Sequence, residues 1–165
     1  MDSQQLRALQ APLKDRYRND ATAALVTLRA EGELGADVTC SVQTHQAMVE
    51  AGLHPATGGD GLAVCSGDML LQALVACAGV TMRSVATALD VPLNGGTVRA
   101  EGDLDFRGTL GVDRSVPVGF AAIRLVFDVE VGDASLKERL LELTLRYCVV
   151  WQTLSATPAL AAAYG

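Results

Sequence analysis

Aromatic residues are scarce in this chain, with one Trp, three Tyr and three Phe among 165 residues, so an aliphatic core is expected. Basic residues are also short: 13 Lys and Arg face 19 Asp and Glu, for a formal charge of -6 and no Lys/Arg cluster. That balance argues against nucleic acid or an anionic membrane surface as a partner. The two histidines, His45 and His54, fall in one turn-rich stretch, and no C-x-x-C or H-x-x-x-H spacing is present, so neither a zinc site nor any cofactor is expected. G-x-S-x-G, P-loop and dinucleotide fingerprints are missing, and Gly58-Gly59-Asp60-Gly61 leads no suitable strand and helix. Residues 1–20 carry Asp2, Arg7, Lys14, Asp15, Arg16, Arg18 and Asp20 without an apolar run, which predicts no signal peptide and a reducing cytoplasm. With no internal repeat, the expectation is one domain over 1–165, with an N-terminal helical segment over 1–20 and a short tail over 155–165.

What is present is a long uncharged run from Met69 to Met82, apolar or small on every side of a helical wheel. That pattern predicts a central helix buried all round, starting near Ser66 with Asp68 in its first turn, and too short in its uncharged part to span a bilayer. At its middle is Cys77, which shares a face with Ala73, Leu74, Val80 and Thr81.

Around this helix, Ser3 to Arg18 reads as an amphipathic helix that Pro12 could kink. A hairpin is expected from strands at Ala23–Glu31 and Asp37–Thr44 joined by a turn over Gly32–Ala36, with Cys40 a strand core residue; His45 to Val64 reads as a turn-rich connection. Beyond the central helix, which Pro92 and Asn94-Gly95-Gly96 should stop, alternation predicts strands over Thr97–Phe106 and Phe120–Val131. Ala121, Ile123, Leu125, Phe127, Val129 and Val131 would face inward on the second of these. A second long helix capped by Asp133 or Ser135 would place Leu136, Leu140, Leu143 and Tyr147 on one face, with Leu141, Leu145 and Cys148 beside it. The class is α+β, an antiparallel sheet with two long helices, the cysteine-bearing one central and buried.

Taken alone, any one of the four cysteines reads as a small buried hydrophobe. Cys65 lies twelve residues before Cys77, about 18 Å along a helix and beyond the reach of a disulfide. Cys77 and Cys148 sit on the two helices expected to pack together, though spacing alone does not prove that they meet.

The stretch Gly58-Gly59-Asp60-Gly61, then Asp68-Met69-Leu70-Leu71-Gln72-Ala73-Leu74-Val75-Ala76-Cys77-Ala78, resembles the glycine-rich lead-in and E-x-L-x-x-A-x-x-x-C helix of the OsmC/Ohr family. Arg146-Tyr147-Cys148-Val149-Val150-Trp151-Gln152-Thr153-Leu154 is similar to its second helix motif, Cys-Pro-(Val/Tyr)-Ser-x-Thr-Leu. The resemblance implies an interwoven homodimer that reduces organic hydroperoxides to alcohols. In it Cys77 would attack the peroxide, Cys148 would resolve the sulfenic acid as a disulfide, and a dithiol such as dihydrolipoamide would restore both. The chain departs from the pattern in three places. Ser66-Gly67 stands where the family has Pro-Glu, leaving Asp68 as a candidate carboxylate. Val149 replaces the proline and Trp151 the serine after the second cysteine. The family's arginine has no clear match, Arg16 and Arg18 reading as solvated surface residues. Because Cys77 lies about three turns inside its helix, that helix's own dipole should not activate it, and a cation from elsewhere is expected. The rival reading is a noncatalytic OsmC-like dimeric module that binds a small apolar ligand, with both thiols inert.

Overall fold

The computed structural model describes residues 2–19, 32–34, 39–43, 48–93, 96–111 and 113–164, and these form an α+β fold. The elements are α1 (Ser3–Asn19), β1 (Gly32–Leu34), β2 (Thr39–Gln43), β3 (Met48–Gly52), β4 (Val64–Cys65), α2 (Ser66–Ala88), β5 (Thr97–Leu104), α3 (Phe106–Thr109), β6 (Phe120–Asp128), α4 (Ala134–Tyr147) and α5 (Val149–Ser155). They fall into two compact units. The first comprises Met1–Leu13, Ala73–Arg99 and Val126–Gly165, and the second Lys14–Gln72 and Ala100–Leu125.

In the first unit the core joins Met82, Val85 and Ala86 of α2 to Val91 and Leu140, with Leu93, Phe127, Val129, Val131 and Leu143 packed around them. The buried residues of α2 are Leu74, Ala78, Met82, Val85 and Ala86, a single stripe at steps of three and four. Burial on every side, as the wheel predicts, is therefore not what one chain achieves: Val80 is 72% exposed and Leu70 38%. The reason is geometric, since this core packs against one side of the helix only. The full α2 is 23 residues long and, by length and composition alone, could cross a membrane, so it is longer than its uncharged run implies. The buried stripe fits a core helix instead.

α2 ends before Pro92 and the glycines. Asp90 takes a left-handed φ of 56°, the Val91 N–H donates to the Ala86 carbonyl at 2.8 Å and the Asp90 N–H to that of Thr87 at 3.2 Å. This is a Schellman closure with aspartate where glycine is usual, and buried Val91 and Ala86 make its apolar contact. The carboxylate of Asp90 meets Arg7 of α1 at 3.4 Å. α1 itself continues through Pro12.

In the second unit β1, β2, β3 and β4 form one sheet in that order, antiparallel except for the parallel pair of β3 with two-residue β4. Gly32–Leu34 is strand where a turn was expected, and Met48–Gly52 is strand inside the expected connection. Each completes a backbone ladder against β2, which overrides the local turn signals of the glycines. The expected strand at Ala23–Glu31 and the turn residues Gly35 and Ala36 lie outside the described residues. Cys40 lies on β2, opposite Leu34 and Ala51.

β5 and β6 pair in a separate two-stranded sheet. Val98, Ala100, Gly102 and Leu104 turn inward on β5 as the alternation predicts, while Phe106 leaves the strand for α3 because Asp105 caps that turn by accepting from the Arg107 N–H. On β6 the alternation slips by one: Phe120 faces in, Ala121 is exposed, and Ile123, Leu125 and Phe127 face in. A Cβ on Gly102 would stand 2.5 Å from the Phe120 ring, so the missing side chain is what lets Phe120 lie against β5.

Asp133 caps α4, accepting from the N–H groups of Ser135 and Leu136. Ser135 does not cap. The buried residues of α4 are Leu140 and Thr144, whereas Leu136, Leu141 and Tyr147 are exposed. Leu140 is wholly buried in the cluster that joins α2, α4 and β6, so Leu140→Ala should cost about 2–5 kcal/mol of stability. Urea denaturation of the two proteins at one concentration measures this.

Candidate functional site

The second long helix of the sequence reading is two helices. α4 stops at Tyr147, Cys148 turns extended at φ -73° and ψ 108°, and α5 starts at Val149. No proline or glycine marks this break. Two β-branched residues, Val149 and Val150, follow it, and such residues favour helix less than unbranched ones.

The break redistributes backbone partners. In an unbroken helix the Leu145 carbonyl would accept from the Val149 N–H; here it accepts from the Gln152 side-chain amide at 2.9 Å. The Cys148 N–H still closes α4 on the Thr144 carbonyl at 2.9 Å, and the Cys148 carbonyl opens α5 by accepting from Gln152 N–H at 3.0 Å. The first N–H groups of α5, those of Val149 and Val150, lie on the side of Cys77 of α2 and favour its anionic form. The Thr81 hydroxyl, one turn along α2, and the Cys148 thiol act on Cys77 in the same direction.

The structure thus brings Cys77 and Cys148 together, and does so within the first compact unit. Cys77 is half-buried and Cys148 has no exposed surface. Burial raises the pKa of each thiol, but the outcomes differ. At Cys77 the Val150 N–H, the Cys148 thiol, the Val149 N–H and the Thr81 hydroxyl outweigh burial and hold it below an ordinary thiol. At Cys148 burial, reinforced by the neighbouring Cys77 thiolate, outweighs the N–H groups of Trp151 and Val150 and pushes it up. Among the described residues the groups that lower Cys77 are neutral. Thr81 was visible in the sequence as a face neighbour, whereas the peptide N–H groups were not, because they depend on a break without a breaker residue.

The other candidates lie elsewhere. Asp68 is in the first turn of α2, in the second unit. Arg16 and Arg18 fall on α1, with side chains outside the described part of the structure. Cys65 and Asp68 line a separate cavity of about 350 Å³ in the second unit, with His54, Gly67, Leu71, Asp103 and Phe120 among its walls. His54 stacks on Phe106 at 5.0 Å and its Nδ1 accepts from the Ala56 N–H at 3.0 Å. Asp103 is held by Arg124, which also reaches Glu101. His45 lies outside the described residues. Among the described residues no three His, Cys, Asp or Glu side chains converge as metal ligands.

A fold of this class with two adjoining thiols of opposite acidity defines a cysteine-pair α+β protein. The model of the OsmC-like protein family matches residues 58–162, and the chain belongs to that family. An OsmC-like protein from Mycoplasma pneumoniae has a similar structure, with a TM-score of 0.66 and 16% identity over 80% of this chain and 89% of that one. An organic hydroperoxide resistance protein OsmC from Legionella pneumophila is similar at a TM-score of 0.58 and 16% identity, covering 79% and 90% of the two chains. An organic hydroperoxide resistance protein from Elizabethkingia anophelis gives 0.59 and 13%, covering 81% and 91%. No curated protein matches the sequence.

The opposed shifts have a direct consequence for reactivity. Because Cys77 is depressed and Cys148 raised, iodoacetamide should modify Cys77 at pH values below those at which an unperturbed thiol reacts, with Cys148 following only at higher pH. Peptide mass mapping after timed alkylation across pH 5 to about 10 reads both profiles.

Proposed function

We propose that this protein is a thiol-dependent peroxidase that reduces organic hydroperoxides to alcohols through a Cys77–Cys148 disulfide cycle. The observation that carries the reading is the meeting of two thiols, Cys77 on α2 and Cys148 at the break between α4 and α5, with Cys77 favoured as thiolate and Cys148 as thiol. A pair pushed apart in this way assigns the two roles. The names of the Legionella and Elizabethkingia neighbours point the same way.

In the first step the Cys77 thiolate attacks the outer oxygen of ROOH, the O–O bond breaks, and the leaving alkoxide takes a proton to become ROH. Cys77 is then a sulfenic acid. Cys148 attacks that sulfur, the S–S bond forms, and hydroxide leaves with the Cys148 proton as water. A small dithiol, of the dihydrolipoamide kind, reduces the disulfide and leaves as its own cyclic disulfide. No resident cofactor is needed. The apolar surroundings of Cys77, including Leu74 and Val80, favour alkyl hydroperoxides over hydrogen peroxide. A role in the oxidative stress response of a reducing cytoplasm follows, with one OsmC-like domain as the working unit.

Cys77→Ser should bring turnover of cumene hydroperoxide to background, since a hydroxyl is not ionised at neutral pH. Cys148→Ser should allow one rapid turnover and then over-oxidise Cys77 in excess peroxide, because no thiol traps the sulfenic acid. Mass mapping of the peroxide-treated native protein should find the Cys77–Cys148 bridge. If the folded protein keeps both thiols reduced under excess cumene hydroperoxide, the inert OsmC-like module that binds a small apolar ligand is the correct reading.

The open face of α2 supports a homodimer, because Val80 and Leu70 stand exposed on an otherwise apolar helix. Sedimentation equilibrium at micromolar protein should return twice the chain mass of 17.2 kDa, and a compact monomer would remove the dimer.

A further inference from the structure

We propose that the cavity of the second unit is a ligand and modification site, in which Cys65 forms a mixed disulfide with a small aliphatic aminothiol of the cysteamine class, delivered as its own disulfide. The site does not involve Cys77 or Cys148, and the proposal does not rest on the peroxidase reading.

The geometry starts from a side chain that is missing. A Cβ on Gly67 would stand 3.5 Å from Phe120 Cζ, 3.6 Å from Cys65 Sγ and 3.7 Å from Leu104 Cδ1. These are ordinary contact distances, so a thiol, an aromatic edge and a methyl group converge on one spot that glycine leaves open. Gly67 is also a point at which the chain departs from the glutamate of the OsmC/Ohr pattern. The cavity around this spot, about 350 Å³, is of a size that small-molecule sites use.

Its lining selects the class of ligand. Leu104, Phe120 and Leu71 supply apolar surface, and the stack of His54 on Phe106 at 5.0 Å fixes a flat wall. Two carboxylates, Asp68 and Asp103, also line it, and no Lys or Arg is among the described lining residues. Asp103 is neutralised by Arg124, so Asp68 supplies the net charge. A ligand that answers all of these needs a sulfur for Cys65, a short methylene stem for the apolar surface and a cation for Asp68. An aliphatic aminothiol has the three on one short chain.

A bridge at Cys65 needs a partner from outside the sheet. Cys40 lies on β2 and Cys65 on β4, with β3 between them. Two strand spacings put them about 10 Å apart, beyond the roughly 7 Å that a disulfide spans. Cys65 is half-buried and faces the cavity. In the exchange the Cys65 sulfur, as thiolate, attacks one sulfur of RSSR. The S–S bond of the ligand breaks, the Cys65–SR bond forms, and RS⁻ leaves and takes up the proton that Cys65 gave up. Cys65 is oxidised and the departing half of the ligand is reduced.

The experiment treats the full-length protein, freed of reductant, with cystamine, hydroxyethyl disulfide or dithiodipropionate, which are cationic, neutral and anionic. Mass spectrometry follows the adduct on the Cys65 peptide. Each rate is divided by that of N-acetylcysteine amide, which removes the differences in reactivity among the reagents themselves. The cationic disulfide should lead the neutral one by about fivefold, the anionic one being slowest. Asp68→Asn should bring the cationic and neutral rates together. Gly67→Leu should slow all three, because its side chain occupies the opening. Gly67→Ala, whose Cβ meets only ordinary contacts, replaces it if the leucine variant does not fold, and should slow them less. Equal normalised rates for the three reagents overturn the proposal, as does an unmodified Cys65 in folded protein or an unchanged rate in both Gly67 variants. A Cys65–Cys65 bridge between two copies in place of the adduct overturns it too. None of these measurements uses peroxide. A protein that takes up cystamine at Cys65 and spares cumene hydroperoxide keeps this site while losing the peroxidase reading.

Discussion

The interruption at Cys148 is the constraint on which the thiol site depends. One residue with ψ near 108° ends α4, begins α5, and points its own sulfur at Cys77. The same turn sets two N–H groups on the side of that neighbour and frees a carbonyl for Gln152. At the break the Leu145 carbonyl and both the N–H and the carbonyl of Cys148 have partners. Anchoring comes from both sides. Leu140 and Thr144 are buried two turns and one turn before Cys148, and Leu140 ties α4 to the core that also holds α2.

Neutral donors and a cation have different physical consequences. A guanidinium acts over several ångströms and is screened by salt, whereas N–H groups act at contact and only along their own directions. Neutral groups make thiol acidity depend on the placement of α5 against Cys77 and little on ionic strength. The asymmetry of the pair has the same origin. Two interacting thiols cannot both ionise cheaply, and the sulfur with more donors takes the charge. Two N–H groups, a hydroxyl and a thiol act on Cys77, while the buried Cys148 faces the thiolate it helps to stabilise.

Much of this was legible in the sequence, and the parts that were not share a cause. The placing of Asp68 in the first turn of α2, the cap at Asp133, the alternation of β5 and the shared face of Cys77 and Thr81 follow from local periodicity and hydrogen-bonding chemistry. Family membership followed from the two cysteine motifs. What could not be read is set by partners distant in sequence. Met48–Gly52 becomes a strand because β2 lies beside it, although its glycine-rich neighbourhood reads as turn. The Asp90 closure uses an aspartate in a glycine conformation. The end of α4 has no breaker residue, and without that end the peptide groups that act on Cys77 cannot be inferred.

The composition of α2 carries a further constraint. Its buried stripe needs apolar residues only at Leu74, Ala78, Met82, Val85 and Ala86, yet the opposite positions from Met69 to Val80 carry no charge either. Soluble monomers rarely leave such a face open, because exposed apolar surface favours association. Cys77 and Thr81, both half-buried, stand at the border between the stripe and that face. Any cover on the open side would therefore remove water from the thiolate as well as from the leucines and valines. Lower local polarity strengthens the effect of the α5 N–H groups and at the same time penalises the anion, so thiol activation would depend on the cover fitting against α2 without displacing α5.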